Sequence, residues 1–304
     1  MSENLVNQFT TQYTTRLELK LQQRQSKLRG RVEEGFHVGK LASPINQMDP
    51  ISVKQPAGRF APLNRTDTNF TRRWVSPTDR DINQLIDSFD ELRTIVDPKS
   101  MYVENAAAAF SRAWDDCLIT AVTANAQIGV DIAGLTSESF DTGTYQIGTS
   151  FGASAAVGLT VAKLIELKRL MRKYHALENE EEITFVAGSQ QEADLLNQVQ
   201  VVSTEFNDKP VLVDGRVTRF LGINFLYSER LATASSIRTC FAFVKSGLYL
   251  GIWRDIKNNI TQRTDLSSQP WQLYTDAVFG ATRTQPGKVW TVQCADTSGV
   301  DITP

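Results

Sequence analysis

The chain has 304 residues, and its 41% hydrophobic and 22% charged content is typical of a folded globular protein. Its 32 Lys and Arg residues nearly balance 34 Asp and Glu residues, which leaves a net charge of −2. This balance argues against a dedicated nucleic-acid-binding protein, because that class usually has a clear basic excess. Residues 1–30 lack an apolar segment of signal-peptide length, and no stretch is apolar enough to span a membrane, so we expect no membrane association.

The three cysteines, Cys117, Cys240 and Cys294, lie far apart and form no C-x-x-C pair. Neither a disulfide framework nor a zinc site is expected from such spacing. The protein is therefore expected to be made in a reducing cytoplasm.

The N-terminal segment predicts a thin amphipathic helix. Apolar residues follow one another four apart in residues 5–21, and Leu28 comes one heptad later. A second, basic stripe consists of Arg16, Lys20, Arg24, Lys27 and Arg31. A helix with so little apolar surface needs a partner surface to be stable. We expect the basic stripe to face the interior of an assembly or a partner, or else to be a solvated face.

Residues 35–74 differ in composition from the rest of the chain. Five of the ten prolines lie between Pro44 and Pro77, among Gly, Asn and Thr. The pattern predicts short extended segments on an exposed loop with little to bury. Such a long segment without a core is unusual in a self-sufficient monomer.

Two helices are predicted next. The stretch SPTDRDINQLIDSFDELRTIVDP, residues 76–98, predicts a short helix. Residues 100–128 predict a long one, which begins near Ser100 and ends at Gly129, because their apolar residues keep helical spacing.

Helices and strands alternate in residues 130–253. Thr160 is predicted to cap a helix, ITFVAGS to form a buried strand, and Ser189 with Glu192 to form a capping box. Asp214-Gly215 predicts a hairpin turn, and further strands and extended chain follow as far as Cys294. This region could also support a small-molecule-binding α/β protein.

The stretch GATRTQPGKV, residues 280–289, superficially resembles a phosphate-binding loop. Six residues separate Gly280 from Gly287, and Val289 stands where a metal-binding Ser or Thr would be needed. The following residues alternate as in a strand, not as in a helix. We therefore predict a turn at Pro286-Gly287 within a hairpin, and no nucleotide site.

Residues that could act in catalysis are few. The two histidines, His37 and His175, have no Ser or Cys in a nucleophile setting, so both are interpreted as structural or surface residues. Asp115 and Asp116 are neighbours in the predicted long helix and cannot face the same way, and Arg112 one turn earlier predicts an exposed ion-paired face. The chain is thus predicted not to be an enzyme, with no catalytic residue, cofactor or metal site.

Two further features have ordinary interpretations. The acidic run Glu180–Glu182 is interpreted as a solvated loop, and Cys117 as a core residue on the apolar stripe of the long helix.

Three segments in order carry a family resemblance. FTRRWVSPTDRDINQLIDSFDELRTIVDPKSMYVENAAAAFSRAWDDCLITAV, residues 70–122, resembles the major capsid proteins of tailed bacteriophages with the Hong Kong 97 fold. FLGINFLYSERL, residues 220–231, resembles a strand region late in that family's central domain, and FGATRTQPGKVW, residues 279–290, its C-terminal hairpin. The similarity runs with gaps from Gly35 to Cys294.

The resemblance implies an α+β fold of five parts. These are an N-terminal arm (1–34), an extended loop that lies over a neighbouring subunit (35–75), a peripheral domain with a long spine helix (76–129), an axial domain (130–253) and return strands of the peripheral domain (254–304). Some relatives join subunits through a Lys–Asn bond, for which Lys54 and Asn258 or Asn259 are the only candidates.

The implied function is that of a major capsid protein that assembles as hexamers and pentamers into the icosahedral head of a tailed phage. The implied partners are a separate scaffolding protein, a portal protein, a decoration protein and packaged double-stranded DNA bound non-specifically. The location would be the virion, after assembly in the host cytoplasm. The alternatives are an encapsulin-type nanocompartment shell and the small-molecule-binding protein named above.

Overall fold

A computed structural model describes residues 20–55, 58–59, 62, 65–86, 99–178, 181–198, 217–267 and 269–296. The chain divides into two compact units. The first comprises Met1–Gln25, Asp79–Arg112 and Arg254–Ala277, and the second comprises Ser26–Thr78, Ala113–Trp253 and Val278–Pro304. The five-part division implied by the resemblance stays a prediction.

Helices and strands both occur in quantity, as expected for an α+β fold. In the part of the chain that the structure describes, the helices are α1 (Lys99–Thr123), α2 (Val161–Lys173) and α3 (Ser189–Leu196). The strands are β1 (Glu33–Phe36), β2 (Ala42–Met48), β3 (Phe70–Val75), β4 (Thr78–Ile86), β5 (Ala126–Gly129), β6 (Thr136–Glu138), β7 (Gln146–Ile147), β8 (Ile183–Ala187), β9 (Arg219–Phe220), β10 (Ile223–Tyr227), β11 (Thr233–Ala234), β12 (Ile237–Val244), β13 (Leu248–Gln262), β14 (Trp271–Arg283) and β15 (Val289–Ala295).

A seven-stranded mixed sheet is the centre of the second unit. Its strand order is β7-β15-β12-β8-β10-β9, and β11 pairs with β12. All five residues of β8 are buried, as the apolar run ITFVA predicted. β8 is parallel to β10, from Ile183 opposite Ile223 to Ala187 opposite Tyr227. The helix α3 lies between these two strands in sequence, as a parallel pair requires a crossover connection.

The helix α2 supplies an apolar face to this unit. Leu164, Leu167 and Met171 recur at helical spacing and are fully buried. The hydroxyl of Thr160 accepts a hydrogen bond from the backbone N–H of Lys163 at 3.3 Å, so Thr160 is the N-cap, as predicted.

The cap of α3 lies one residue earlier than predicted. Gly188 is the N-cap and Ser189 is the first helical residue. The side-chain oxygen of Gln191 accepts a hydrogen bond from the N–H of Gly188 at 3.1 Å. Gln191 therefore has the reciprocal role that the predicted box assigned to Glu192.

The predicted short helix at residues 76–98 is wrong where the structure describes it. Thr78–Ile86 is a strand, with Ile82, Gln84 and Ile86 turned inward and the alternate residues exposed. β4 lies beside β14 in the sheet of order β1-β13-β14-β4. In the first unit, the amide of Gln272 donates to the side chain of Asn83 at 2.9 Å. Strand pairing therefore overrides the helical propensity of this polar segment.

The long helix α1 is confirmed, but it ends earlier than predicted. An alanine run, Ala106 to Ala109, favours the helix. It stops at Thr123, and residues 126–129 form β5. At this end Arg283 donates from Nη1 to the carbonyls of Val122 (2.8 Å) and Ala124 (3.1 Å). A buried cation thus satisfies carbonyls that a continuing helix would have bonded.

The turn at Pro286 is confirmed, but the hairpin is not. The N–H of Lys288 donates to the carbonyl of Gln285 at 3.2 Å, which closes a turn of one 3-10 segment, Pro286–Lys288. The flanking strands β14 and β15 belong to different sheets. The turn therefore transfers the chain from one sheet to another. The predicted Asp214-Gly215 hairpin lies outside the described residues.

The arm helix is not present in the residues where it can be checked. Residues 20–32 contain no helix, and those before residue 20 lie outside the described part. Leu21 is fully exposed whereas Leu28 is fully buried, so the two do not share one face. The basic stripe therefore does not exist as a helical stripe at Lys20, Arg24, Lys27 and Arg31.

Candidate assembly surfaces

The extended loop has a well-anchored base. β3 pairs antiparallel with β2 on one side and with β5 on the other. The indole N–H of Trp74 donates to the carbonyl of Gly129 at 3.0 Å. The buried guanidinium of Arg73 forms an ion pair with Glu138 on β6. The base of the loop is therefore fixed by both backbone pairing and buried polar contacts.

Beyond this base the loop exposes apolar side chains. Met48 and Phe70, opposite each other at the end of the β2–β3 ladder, are 60% and 58% exposed. Ile51 is 61% exposed and Val53 is fully exposed. Single exposed apolar residues are normal, but a group in one segment indicates a contact surface. The loop can bury this surface only against another molecule or another part of the chain.

The strand β1 lies at the start of the extended loop. It pairs parallel with β13, from Glu33 opposite Tyr249 to Phe36 opposite Ile252. A ring nitrogen of His37 lies 2.7 Å from the hydroxyl of Tyr249, and burial lowers the pKa of His37. His37 thus has the structural role that was predicted. The neighbouring side chains of Phe36 and Val38 are exposed.

Asp115 anchors residues 26–28, near the end of the predicted arm. Its Oδ1 accepts from the hydroxyl of Ser26 at 2.5 Å and from the N–H of Leu28 at 3.1 Å, and its Oδ2 accepts from the N–H of Lys27 at 3.0 Å. Asp115 is fully buried. The guanidinium of Arg29 lies 4.0 Å from the ring centroid of Trp114, next to Asp115. The prediction of an exposed, ion-paired face is therefore wrong for Asp115, which is buried and accepts hydrogen bonds inside the fold.

Asp116 and Arg112 have other partners than those predicted. Asp116 forms a bidentate ion pair with Arg230, at 2.6 and 2.5 Å. Arg112 donates to the side chain of Gln22 at 2.9 Å and to the carbonyl of Gln23 at 3.0 Å. The predicted pairing of Arg112 with the two carboxylates is therefore wrong, because both acceptors turn to residues distant in sequence.

Lys163 is a buried cation with three carbonyl partners. Its Nζ donates to the carbonyls of Val157, Gly158 and Gln293, each at 2.9 Å, and its side chain is fully buried. Burial lowers the pKa of Lys163. The three bonds fasten the glycine-rich loop before α2 to the strand β15. These bonds position the loop in place of a hydrophobic core of its own.

An open groove of about 600 Å³ lies beside β10. Lys27, Arg31 and Arg219 are among its lining residues. The Nζ of Lys27 donates to the carbonyl of Tyr227 at 2.6 Å, and Arg219 pairs with Glu182 at 3.2 Å. Two cations of the predicted basic stripe thus face a groove of the second unit.

The remaining predicted residues do not converge on a reactive centre. His175 has a φ of 57° at the end of α2, and its Nδ1 lies 2.9 Å from Glu178. Glu181 accepts from the hydroxyl of Ser246 at 2.7 Å, so the acidic run is not simply solvated there. Cys117 is half-buried. Within the described ranges no group of His, Cys, Asp and Glu could hold a metal ion.

None of the helices in the described ranges is long and apolar enough to cross a membrane. Sequence reasoning missed the structural roles of Asp115, Lys163 and Arg283. Asp115 and Lys163 are charged residues among apolar neighbours, in AWDDCL and VAKLIE, whereas Arg283 lies among small and polar residues in GATRTQ. A charge at an inward-facing position is the signal that could have identified them, since such charges need buried partners.

Residues 5–296 match the model of a family described as phage capsid protein. The chain belongs to the phage capsid protein family. The fold of this capsid protein is similar to those of several solved capsids. The capsid structure of the cyanophage P-SCSP1u has a TM-score of 0.71 at 13% identity, covering 98% of this chain and 97% of the other. The cyanophage Pam1 capsid has 0.73 at 13%, covering 96% and 98%.

A structure from Mycobacterium phage Che8 gives a TM-score of 0.68 at 14% identity, covering 96% of the capsid protein and 99% of the other chain. No curated protein sequence matches the capsid protein. The match over nearly the whole length confirms the Hong Kong 97-type fold and the function of a major capsid protein in a phage head shell. It favours the first of the three interpretations that the sequence left open.

Proposed function

We propose that this capsid protein is a purely structural subunit, without enzymatic activity, that assembles as hexamers and pentamers into an icosahedral head around double-stranded DNA. The family membership supports this proposal. The observation that carries it is the exposed apolar group on the extended loop, Met48, Ile51, Val53 and Phe70, whose base is fixed in a four-stranded sheet.

The loop would hold neighbouring subunits together. Its own residues bury too little apolar surface to offset the entropy of ordering it. A neighbouring subunit would supply the missing surface, and burying each apolar side chain would contribute about 1.5–3 kcal/mol. Because the base is anchored by Trp74 and Arg73, the loop would reach each neighbour from a fixed direction.

The five-part division would assign these roles along the chain. Residues 1–34 would be the arm, 35–75 the loop over a neighbour, 76–129 the peripheral domain with α1 as its spine, 130–253 the axial domain, and 254–304 the returning strands. A Lys–Asn cross-link would form by attack of the Lys54 amine on the side-chain amide carbon of Asn258 or Asn259, with release of ammonia.

Assembly would take place in the host cytoplasm. The partners there would be a separate scaffolding protein and a portal protein, and a decoration protein would bind the finished head. The resemblance to the tailed-phage family supports these partners. Packaged DNA would contact the inner surface without sequence specificity.

A double variant tests the role of the loop. Ile51→Ser with Val53→Ser removes two exposed apolar side chains from the loop, and Val130→Ser with Ile132→Ser removes the same residue types, 61% and 56% exposed, from outside it. Both variants should unfold at the parent's temperature, because exposed substitutions have small effects on stability. Only the loop variant should lose shells in negative-stain images. Shells at the parent's yield in the loop variant would contradict the proposal.

A further inference from the structure

Three separate segments of the second unit, which together carry four basic residues, pack against one another. We call Arg172, Lys173, Lys245 and Lys288 the basic patch. The end of α2 reaches the turn Pro286–Lys288, because a Cβ on Gly287 would lie 3.5 Å from the Cβ of Tyr174. The Nζ of Lys288 donates to the hydroxyl of Ser246, next to Lys245, at 2.7 Å.

Rigid contacts hold these three segments together. The rings of Tyr174 and Trp290 lie 5.4 Å apart, and the indole N–H of Trp290 donates to the carbonyl of Gly287 at 2.8 Å. Lys245 begins a 3-10 turn, and Thr284 donates through its hydroxyl to the carbonyl of Ser246 at 2.6 Å. The patch is therefore positioned by buried aromatic and backbone contacts rather than by flexible chain.

The charges of the patch are largely uncompensated. Arg172, Lys173 and Lys245 are exposed, and across the ranges that the structure describes no carboxylate lies within ion-pair distance of them. Arg169 on the same helix, by contrast, is paired with Glu166 at 2.6 Å. A nearby carboxylate, Glu181, accepts hydrogen bonds from Ser246. A second carboxylate, Glu33, lines a pocket together with Ser246 and Lys288, so the four cations outnumber two nearby carboxylates, against a net charge of −2 for the whole chain.

This arrangement fits a polyanion with closely spaced charges. Double-stranded DNA carries one negative charge per about 1.7 Å of its axis, and Lys and Arg bind its phosphates without reading sequence. A protein partner would require a broad apolar core in the contact, whereas beside the patch Trp290 is fully buried and Tyr174 is only 38% exposed. We propose that the basic patch binds the phosphate backbone of the packaged double-stranded DNA. This inference rests on the proposed function and assigns a surface to it.

The salt dependence of DNA binding tests the patch. The probe is a 20-base-pair duplex of arbitrary sequence, titrated with the unassembled full-length protein at several salt concentrations. The triple variant Arg172→Gln, Lys173→Gln and Lys245→Gln should bind DNA with a weaker salt dependence. The negative slope of log K against log salt should become shallower by about 2 to 3, since each lost phosphate contact removes about 0.9. Lys288 is left intact because it bonds Ser246.

Matched variants separate the patch from net charge. Lys40→Gln, Arg59→Gln and Lys257→Gln remove the same three charges at exposed positions elsewhere and should keep the parent's slope. Arg172→Lys with Lys173→Arg and Lys245→Arg keeps the charge and should also keep it. An unchanged slope in the Gln variant, or an equal loss in the Lys40 set, would overturn the proposal.

Two further measurements distinguish other outcomes. If the Gln variant binds polyglutamate more weakly than the parent does but binds the duplex equally well, the patch binds an acidic protein and the DNA proposal is wrong. Shell formation is scored separately on the same variants. A parent protein that forms no shells would contradict the proposed function, whereas the DNA slopes of the unassembled protein test the patch alone.

Discussion

The carboxylate of Asp115 lies 2.5 Å from the hydroxyl of Ser26 and accepts two further backbone hydrogen bonds from the residues that follow Ser26. One buried side chain on α1 thereby fixes the path of residues 26–28, near the end of the predicted arm. Its loss should affect both folding and the placement of the arm.

Asp115→Asn should destabilise the protein by about 2–3 kcal/mol. Both carboxylate oxygens of Asp115 accept hydrogen bonds, whereas the NH₂ group of asparagine would face one of these donors with a donor of its own. Hydrogen bonds to a charged acceptor contribute about 1.5–3 kcal/mol. Asp116→Asn is the control, because its partner Arg230 is partly exposed and such pairs contribute about 0–1 kcal/mol. Urea unfolding of the unassembled protein measures both. Equal stability of the two variants would show that Asp115 is not an anchor.

Arg283→Met should cost about 2–3 kcal/mol, because it leaves the carbonyls of Val122 and Ala124 without their buried donor. The last turn of α1 should then exchange its amide protons faster. Arg254→Met is the control, since Arg254 is 58% exposed and contacts no carbonyl at the end of α1. Hydrogen exchange followed by mass spectrometry tests this. An unchanged exchange rate near Val122 would refute the capping role.

His175→Gly should stabilise the protein by about 0.5–1 kcal/mol. The N–H groups of His175 and Ala176 donate to the carbonyls of Arg172 and Met171, each at 3.0 Å, which forms a Schellman motif with His175 at the left-handed position. Glycine has no Cβ penalty there. His175→Ala keeps the penalty and serves as the control. Thermal unfolding should rank Gly above Ala, and the reverse order would be inconsistent with this geometry.

The extended loop should be protected from hydrogen exchange only in the shell. Amides of residues 51–55 and 65–68 should exchange at least about tenfold more slowly after assembly, because every 1.4 kcal/mol of added local stability slows opening tenfold. The buried strand β8 should be protected in both states. Strong and equal protection of the loop in free and assembled protein would count against a contact with a neighbour.

Local sequence patterns predicted the helices and strands whose determining residues lie within the element itself. The apolar run of β8, the Thr160 cap of α2 and the alanine-rich α1 each contain the residues that determine them. β4 could not be predicted in this way, because its polar residues become a strand only through pairing in a sheet with distant residues such as Gln272.

The charged anchors have the same limitation. That Asp115 is buried depends on Ser26 and Leu28, which lie almost ninety residues earlier in the chain. Periodicity placed Asp115 on a helix but could not reveal what covers it. That residues 35–74 form an assembly surface stays a prediction, which rests on the local composition of this segment.

Negative-stain electron microscopy of the full-length protein, expressed alone and together with a phage scaffolding protein, tests the central claim most directly. We predict closed shells of uniform diameter in which the protein forms rings of six and five. A monodisperse monomer under both conditions, at all concentrations, would contradict a shell-forming subunit.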